Sequence, residues 1–356
     1  MLVSAFITHK KAERFSDCQD RFSVNPGTKS IAVSDGMSQS IFQKYWAQIL
    51  TDKYTRTADW VPNLESVREL SPDWYEKVHC YLKGEEQAGR NPWRAKSSIE
   101  RGLSAGATIL GVRFDKDMWF CDVLGDSSLI LILDNHIEKI LTSEDVQTFN
   151  NYPDYYDSNP KEAGKGTLKS ESGKFLPDEV ILLVSDPFSD FLLKNKGTDA
   201  EPALIDRIVG VNSHEEFESV VEDWRKLGMH NDDSTLVIIK QDKSEELNLI
   251  ESCIDDMEEL IANEKAKEEE SFETKVEEAL TSKPESDVIS MQEVPPGANE
   301  ITIKLSQFDD PQFKHHMETT IKESVKKYKS KRGGLDKRTS ILCGDFIEAI
   351  FDFFKK

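Results

Sequence analysis

Short apolar runs recur through the first two-thirds of the chain, and each is bounded by polar or turn-forming residues. They lie at residues 2–8, 30–34, 108–114, 118–123, 129–133, 180–185 and 236–240. Runs of this length, rich in valine and isoleucine, are typical of buried β-strands. The pattern therefore predicts a domain with several strands, and those in the middle of the chain are close enough in sequence to be linked as hairpins.

Between the strands, the apolar positions follow the spacing of a helix. Residues 38–54 place apolar side chains on one face, and Ser38 stands where its hydroxyl could cap the first turn. Further helical patterns lie at residues 71–83, 199–209 and 213–227. The last of these opens with Ser213 and Glu216 at the spacing of a capping box. Hairpin-linked strands with helices elsewhere predict an α+β layered domain.

Residues 150–173 show neither a strand pattern nor a helix pattern, because they are polar and rich in Tyr, Asp, Gly and Lys. They predict a surface loop. Loops of this length are usually functional or disordered, and both interpretations stay open.

The composition changes after Lys240, which predicts further segments beyond a domain of residues 1–242. An acidic amphipathic helix is expected over 243–280, a Pro-containing linker over 281–300, and a basic and amphipathic helical region over 301–356. Two interpretations of this C-terminal helical extension stay open. It packs on the first domain, or it binds a protein partner through 243–280 and 340–354. Contact with a membrane surface is the least favoured alternative.

Charge and cysteine usage narrow the class of protein. The formal net charge is −21, which argues against nucleic acid as a main partner because no basic excess is available to neutralise phosphates. No run approaches the roughly 20 apolar residues of a membrane-spanning helix. The five cysteines show no CxxC pairing, so neither zinc nor a disulfide framework is expected. A reducing, cytoplasmic location fits this usage.

Aspartates recur at the ends of the apolar runs, and this is the main chemical signal. Asp35 and Asp186 each follow such a run directly, Asp126 comes shortly after a third, and Asp232 with Asp233 precedes the last. Hard divalent cations such as Mg²⁺ and Mn²⁺ take oxygen ligands and keep several waters. Carboxylates on strand ends that converge on one edge therefore predict a divalent-cation site.

The order of these motifs resembles that of the type 2C metal-dependent serine/threonine protein phosphatases, and of their bacterial members in particular. The resemblance extends from Ser4 to about Lys240. It rests on Gln19-Asp20, Val33-Ser34-Asp35-Gly36-Met37, Ala105-Gly106-Ala107-Thr108, Leu124-Gly125-Asp126-Ser127, Leu183-Val184-Ser185-Asp186 and Asp232-Asp233-Ser234-Thr235. It implies a four-layer α-β-β-α sandwich with two antiparallel sheets and the metals at one edge. It also implies that the 150–173 region forms a flap beside the active site.

The resemblance also implies the roles of individual residues in a reaction with two Mn²⁺ or Mg²⁺ ions. Asp35 would bridge the ions, with the Gly36 carbonyl on one and Asp186 and Asp232 on the other. The remaining implied positions are Asp20 and Gln19 around the metal waters, and Asp126 and Asp190 for a third ion. Water would attack the phosphorus of a phosphoprotein directly. Arg14 is the candidate phosphate-binding residue and Arg21 the fallback, since a guanidinium can contact two phosphate oxygens.

Four departures from the family pattern involve five positions. Gln19 replaces a Glu, Met37 replaces the His of eukaryotic members, Ser38-Gln39 replaces Gly-Gly, and Pro187 replaces a Gly. None of these removes a direct carboxylate ligand. They nevertheless motivate an alternative function, a catalytically weak or inactive scaffold or phosphoprotein-binding module. A third alternative, a phosphodiesterase that uses the same metals, is disfavoured by the full motif order.

Overall fold

The computed structural model describes residues 1–89, 91–143, 154–162, 164–242, 244 and 246–252. Met1–Lys83 and Pro92–Glu264 form one compact unit. A second unit, Gly84–Asn91 with Lys265–Lys356, contributes only the end of one helix and the turn after it to the described residues. The predicted linker 281–300, the region 301–356 and residues 253–280 lie outside the described residues.

Thirteen strands and seven α-helices form the described part of the chain. The strands are β1 (Leu2–Thr8), β2 (Arg21–Asn25), β3 (Ser30–Ser34), β4 (Gly106–Ala107), β5 (Ile109–Asp115), β6 (Met118–Leu124), β7 (Ser128–Leu133), β8 (His136–Leu141), β9 (Tyr156–Asp157), β10 (Lys169–Lys174), β11 (Val180–Val184), β12 (Ser234–Lys240) and β13 (Asn248–Ser252). The helices are α1 (Gln43–Arg56), α2 (Leu64–Arg68), α3 (Ser71–Gln87), α4 (Trp93–Glu100), α5 (Asp186–Asn195), α6 (Glu201–Val209) and α7 (His214–Lys226). Every predicted strand is present.

The strands form two large sheets. One has the order β13-β1-β12-β11-β7-β8, the other has the order β10-β6-β5-β3-β2, and β4 and β9 make a separate pair. All neighbours in the large sheets are antiparallel except β1 and β13, which are parallel. The prediction of two antiparallel sheets is confirmed, with β13 as the exception.

The layers follow from the two-residue alternation of the strands. In β3, Ile31 and Val33 lie in the core between the sheets, while Ala32 packs with Trp46 and Leu50 of α1 on the outer face. The other sheet carries its own helical layer. Phe188 of α5 and Phe217 and Trp224 of α7 belong to the core on that side, and Phe217 stacks on Phe6 of β1 at 5.5 Å. The four-layer α-β-β-α sandwich is therefore confirmed.

Helix α1 begins at Gln43, so the prediction that Ser38 caps it is wrong. The Ser38 hydroxyl instead donates to Gln19 Oε1 at 3.1 Å. Phe42 precedes the helix with φ of 53°, a left-handed conformation that a helix does not pass through. Ser213 does cap α7 as predicted, by accepting a hydrogen bond from the Glu216 N–H. The Glu216 carboxylate accepts from the Asn212 N–H.

Two strands occur where the sequence predicts other structure. Lys169–Lys174, inside the predicted loop, pairs with β6 as an edge strand. Asn248–Ser252, at the start of the predicted acidic helix, pairs with β1. Both segments are largely exposed, so their sequences show no alternation of apolar and polar residues that would predict a strand. They form strands because their backbones pair with a sheet edge. Among the described residues, no helix is both long and apolar enough to cross a membrane.

Candidate metal centre

The end of β3 positions Asp35. The Asp35 N–H donates to Thr108 Oγ1 at 3.0 Å, and the Thr108 N–H donates to the Asp35 carbonyl at 2.9 Å. Gly36 continues this pairing opposite Ala107. The backbone of the Asp-Gly step is therefore held by Ala107 of β4 and by Thr108, which lies between β4 and β5, and the Asp35 carboxyl projects from a rigid support.

Asp20 and Asp233 lie in buried positions beside Asp35. Asp20 Oδ2 accepts a hydrogen bond from the Thr235 hydroxyl at 2.7 Å, while its Oδ1 is buried without a donor. The Asp233 carboxylate accepts from two backbone groups, the Lys10 N–H at 2.9 Å and the Gln19 N–H at 2.7 Å. Asp233 therefore joins the segment after β1 to the start of β12, which indicates a structural role.

Asp186 is the first residue of α5, directly after β11. Ser185 before it is held by two hydrogen bonds, because its N–H donates to the Thr235 carbonyl and its hydroxyl accepts from the Thr235 N–H. Pro187 stands in the first turn of the helix, where its missing N–H would have no intrahelical partner in any case. The replacement of Gly by Pro at this position is thus compatible with the strand-to-helix step.

These carboxyls are near enough to other aspartates for the neighbouring charges to alter their pKa values. Burial, followed by the charges of Asp126 and Asp232, raises the pKa of Asp35 to about 8. Burial and the charges of Asp126 and Asp35 raise the pKa of Asp186 well above its usual range. The pKa of Asp20 is raised in the same way, by burial and then by Asp35 and Asp233. Several carboxyls gathered at one edge in this way repel one another unless protons or cations neutralise them.

Divalent cations fit this donor set in chemistry. The groups are carboxylates on fixed backbone supports, and the pKa values of Asp35 and Asp186 are raised by burial and by the charges of neighbouring carboxylates. Among the described residues, no three His, Cys, Asp or Glu side chains are grouped closely enough to form a complete metal centre. The case for a cation at this edge therefore rests on the electrostatic influence of Asp126 and Asp232 on Asp35 and Asp186, and not on a preformed group of three ligands.

Lys10 is the residue that the sequence did not single out. Its Nζ lies 2.9 Å from Asp232 Oδ1 and donates to the Ser38 hydroxyl at 3.2 Å. Burial lowers the pKa of Lys10, but the hydrogen bond to Asp232 and the nearby carboxylates outweigh this and raise it, so the side chain stays an ammonium. The antiparallel register, with Thr8 opposite Ser234, continues to place Lys10 opposite Asp232. The pairing of β1 with β12 would have revealed this contact.

Arg225 is a second cation that the sequence did not indicate. Its guanidinium donates to the carbonyls of Asp232 and His9, at 2.7 and 3.1 Å. It therefore fixes the backbone of Asp232 and leaves that residue's carboxylate to Lys10.

The other predicted site residues lie further from these carboxyls or are already engaged. Asp190 Oδ2 is 2.5 Å from Lys194 Nζ and 3.2 Å from His230 Nε2. Arg14 is exposed, just before the short 3₁₀ turn Phe15–Asp17. Arg21 donates to the backbone carbonyls of Cys18 and Asp20, so it supports the Asp20 segment.

Solved structures with a similar fold include serine/threonine phosphatases, the class named by the sequence resemblance. They include the catalytic domain of serine/threonine protein phosphatase PstP in complex with two manganese ions, at 14% identity and a TM-score of 0.44, covering 66% of this chain and 96% of that one. PppA, a regulatory component of T6SS in Pseudomonas aeruginosa, shows 17% identity and a TM-score of 0.42, with 67% and 96% covered. The photosystem II phosphatase PBCP shows 15% identity and a TM-score of 0.40, with 68% and 99% covered.

No known family model matches the chain, and no curated protein sequence does either. At these identities and TM-scores, the solved structures say nothing about activity. Any conclusion about function therefore depends on the residues of the site.

Proposed function

We propose that this chain is a Mn²⁺- or Mg²⁺-dependent serine/threonine protein phosphatase that acts on phosphoproteins. The observation that supports this most is the group of carboxyls at this edge, in which the pKa values of Asp20, Asp35 and Asp186 are raised by burial and by neighbouring carboxylates. Asp126 and Asp232 are among the neighbours whose charges raise them. Natural sequences accept such a cost to stability mainly at functional sites.

Within this proposal, Asp35 would bridge two cations, the Gly36 carbonyl would contact one, and Asp186 and Asp232 would hold the other. Bound divalent cations lower the pKa of water and neutralise charge on phosphoryl oxygens. Asp126 and Asp190 are the positions for a third ion. Asp190 would first have to leave Lys194 and His230.

The remaining roles concern water and substrate. Asp20, kept in place by Thr235, would orient water beside Asp35, and Gln19 would act on waters at the rim. The phosphomonoester would be hydrolysed directly: a bond forms between phosphorus and the water oxygen, the P–O bond to the serine or threonine oxygen breaks, and that oxygen takes up a proton given up by the water. Arg14 is exposed and could reach a phosphoprotein, which is why it remains the proposed phosphate contact.

The test is hydrolysis of p-nitrophenyl phosphate and of a phosphothreonine peptide by the purified full chain. Activity should require Mn²⁺ or Mg²⁺, disappear with excess EDTA and return when metal is restored. Activity that persists in excess chelator would contradict a metal-dependent mechanism.

A second candidate function is a non-catalytic scaffold or phosphoprotein-binding module. The observation that favours it is the ion pair of Lys10 with Asp232, which places a positive charge where a cation ligand is expected. Gln19 also supplies no charge where the family has a Glu. Calorimetric titration separates the two candidates. No binding of Mn²⁺ at millimolar concentration would favour the scaffold, whereas binding with turnover would exclude it.

Location and partners belong to the same proposal. A cytoplasmic location is supported by Cys18 and Cys121, which are buried as free thiols. A protein partner through 243–280 and 340–354 would be tested by comparing pulldowns with the full chain and with a chain ending at Ser252. Only a partner lost on truncation supports it.

A further inference from the structure

Lys10 forms its ion pair at the candidate metal centre, where its own side chain is mostly buried and that of Asp232 is partly exposed. The Lys10 side chain is 16% exposed and that of Asp232 is 41% exposed. The backbone of Lys10 is also fixed, because its N–H donates to Asp233 Oδ1. Both ends of the residue are thus held by the adjacent aspartates at the start of β12, so the contact is part of the fold.

Lys10 Nζ also contacts Ser38, one departure from the phosphatase pattern, and Ser38 in turn contacts Gln19, a second departure. Lys10 Nζ donates to the Ser38 hydroxyl at 3.2 Å, and that hydroxyl donates to Gln19 Oε1 at 3.1 Å. A glycine at position 38 would offer no side-chain acceptor. A glutamate at position 19 would add a charge at the far end of the chain of hydrogen bonds. A chain of contacts therefore runs from Gln19 through Ser38 to Lys10, and its last member is the ion pair of Lys10 with the Asp232 carboxylate.

We infer that the Lys10 ammonium is a built-in counter-ion of Asp232, which a divalent cation must displace or bind beside. The inference rests on the proposed function, since it takes Asp232 to be a cation ligand. Like charges a few ångströms apart repel strongly in a partly buried site, and an ammonium already paired with a ligand oxygen lowers what that oxygen offers a cation. Divalent-cation affinity is accordingly weaker in this chain than its aspartates alone would give. Lys10 is a positioning residue and not a catalytic one.

The experiment is a calorimetric titration of Mn²⁺ into the metal-free full chain, compared among four proteins. Lys10→Met removes the ammonium and keeps the length of the side chain. Lys10→Arg keeps the charge. Lys11→Met is the matched control, because it changes net charge equally at an exposed residue whose partner is Glu222, at 3.6 Å.

We expect Lys10→Met to bind Mn²⁺ about tenfold more tightly than wild type, the scale on which groups that contact metal ligands alter affinity. Lys10→Arg and Lys11→Met should stay within about threefold of wild type. Equal affinity of Lys10→Met and Lys11→Met, including no binding by either, would overturn the inference. If Lys10→Met does not fold, Lys10→Gln is compared in its place by the same criterion.

The inference and the proposed function can fail separately. If Lys10→Met gains affinity while wild type shows no metal-dependent hydrolysis, the counter-ion role stands and the phosphatase proposal falls. If wild type is an active Mn²⁺-dependent phosphatase and Lys10→Met gains nothing, the phosphatase proposal stands and Lys10 is only a surface contact.

Discussion

The Thr235 hydroxyl donates a hydrogen bond to Asp20 Oδ2 at 2.7 Å, although the two residues are 215 positions apart in the chain. Thr235 lies in β12 of the six-stranded sheet, and Asp20 directly precedes β2 of the five-stranded sheet. One buried bond therefore connects the two sheets at the edge where the carboxyls meet.

Thr235→Val should destabilise the fold by about 1–3 kcal/mol, because it leaves a buried carboxyl oxygen without its donor. Thr235→Ser keeps the hydroxyl and should lose clearly less. Urea denaturation of the two variants and wild type measures the difference. Equal stability of the Val and Ser variants would show that the hydroxyl contributes nothing at this position.

Asp35→Asn tests the centre of the site. Because the pKa of Asp35 is raised to about 8, the folded protein without metal keeps a proton that the unfolded chain releases near pH 4. Wild type should therefore lose stability as the pH rises between these values, and the variant should lose less.

Without metal, the melting temperature of Asp35→Asn should equal that of wild type or lie slightly above it. The variant should also lose the rise in melting temperature that Mn²⁺ gives wild type, and phosphatase activity should fall by orders of magnitude.

The measurement is a thermal melt of each protein at several pH values, with and without Mn²⁺. Asp59→Asn, at an exposed turn, is the matched control and should behave as wild type. Near-normal activity in Asp35→Asn, together with a full metal-dependent melting shift, would mean that Asp35 does not bridge cations.

Much of the sandwich could be predicted from the sequence because its central strands are buried on both faces. Val180–Val184 and residues 236–239 are continuous apolar runs, and Asp186 and Asp232 each lie within a few residues of one end of such a run. Edge strands gave no such signal. Lys169–Lys174 is mostly exposed and polar, so its pairing with β6 depends on backbone hydrogen bonds that composition does not encode.

The Lys10 contact could not be predicted for a different reason. It depends on which strands pair and in which register. β1 and β12 are neighbours in the sheet but lie at opposite ends of the domain's sequence. Local sequence patterns carry no information about such long-range pairing. The prediction that Ser38 caps α1 was wrong for a related reason. A serine before a helical pattern can cap the helix only if its hydroxyl is not bonded to another part of the chain, and the Ser38 hydroxyl is bonded to Gln19.

Glu201 gives a prediction about pH outside the site. Its carboxylate accepts from the Ile137 N–H and the Gly197 N–H, each at 2.7 Å, and links α6 to β8. Burial raises the pKa of Glu201, but these hydrogen bonds outweigh it and lower the pKa overall. Its contribution is therefore present above the unfolded pKa of about 4.3 and is lost as the pH falls through the lower folded value.

Glu201→Ala should cost about 1–3 kcal/mol at pH 7, because two backbone donors lose their acceptor. The gap to wild type should narrow as the pH falls below about 4. Denaturation curves at pH 7 and below pH 4 measure this. A gap independent of pH would mean that the carboxylate charge is not the source of the stability.

A mutation of Arg14 can change activity without changing stability, because the residue is exposed and lies outside the core. If it contacts the substrate phosphate, Arg14→Ala should lower kcat/KM for a phosphothreonine peptide about tenfold, while the melting temperature stays unchanged. Arg68→Ala, at an exposed residue of α2, is the control. Equal kinetics of the two variants would remove Arg14 from the proposed site.

Gly36 is needed for space as well as for its carbonyl. A Cβ at this position would lie 2.9 Å from Gln43 Cγ and 3.0 Å from the Gln19 carbonyl oxygen. Gln19 cannot move away freely, because its N–H is bonded to Asp233. Gly36→Ala should therefore cost about 1–3 kcal/mol through overpacking and should move the carbonyl proposed to contact a cation.

The matched change is Gly84→Ala in α3, where a Cβ would meet nothing within 4 Å. Alanine favours the helix over glycine, so this variant should gain about 0.5–1 kcal/mol and respond to Mn²⁺ as wild type does. Thermal melts with and without Mn²⁺ compare the two. We expect opposite signs of the stability change, and a reduced Mn²⁺-dependent shift only in Gly36→Ala. A full Mn²⁺-dependent shift in a destabilised Gly36→Ala would show that the Gly36 carbonyl takes no part in binding the cation.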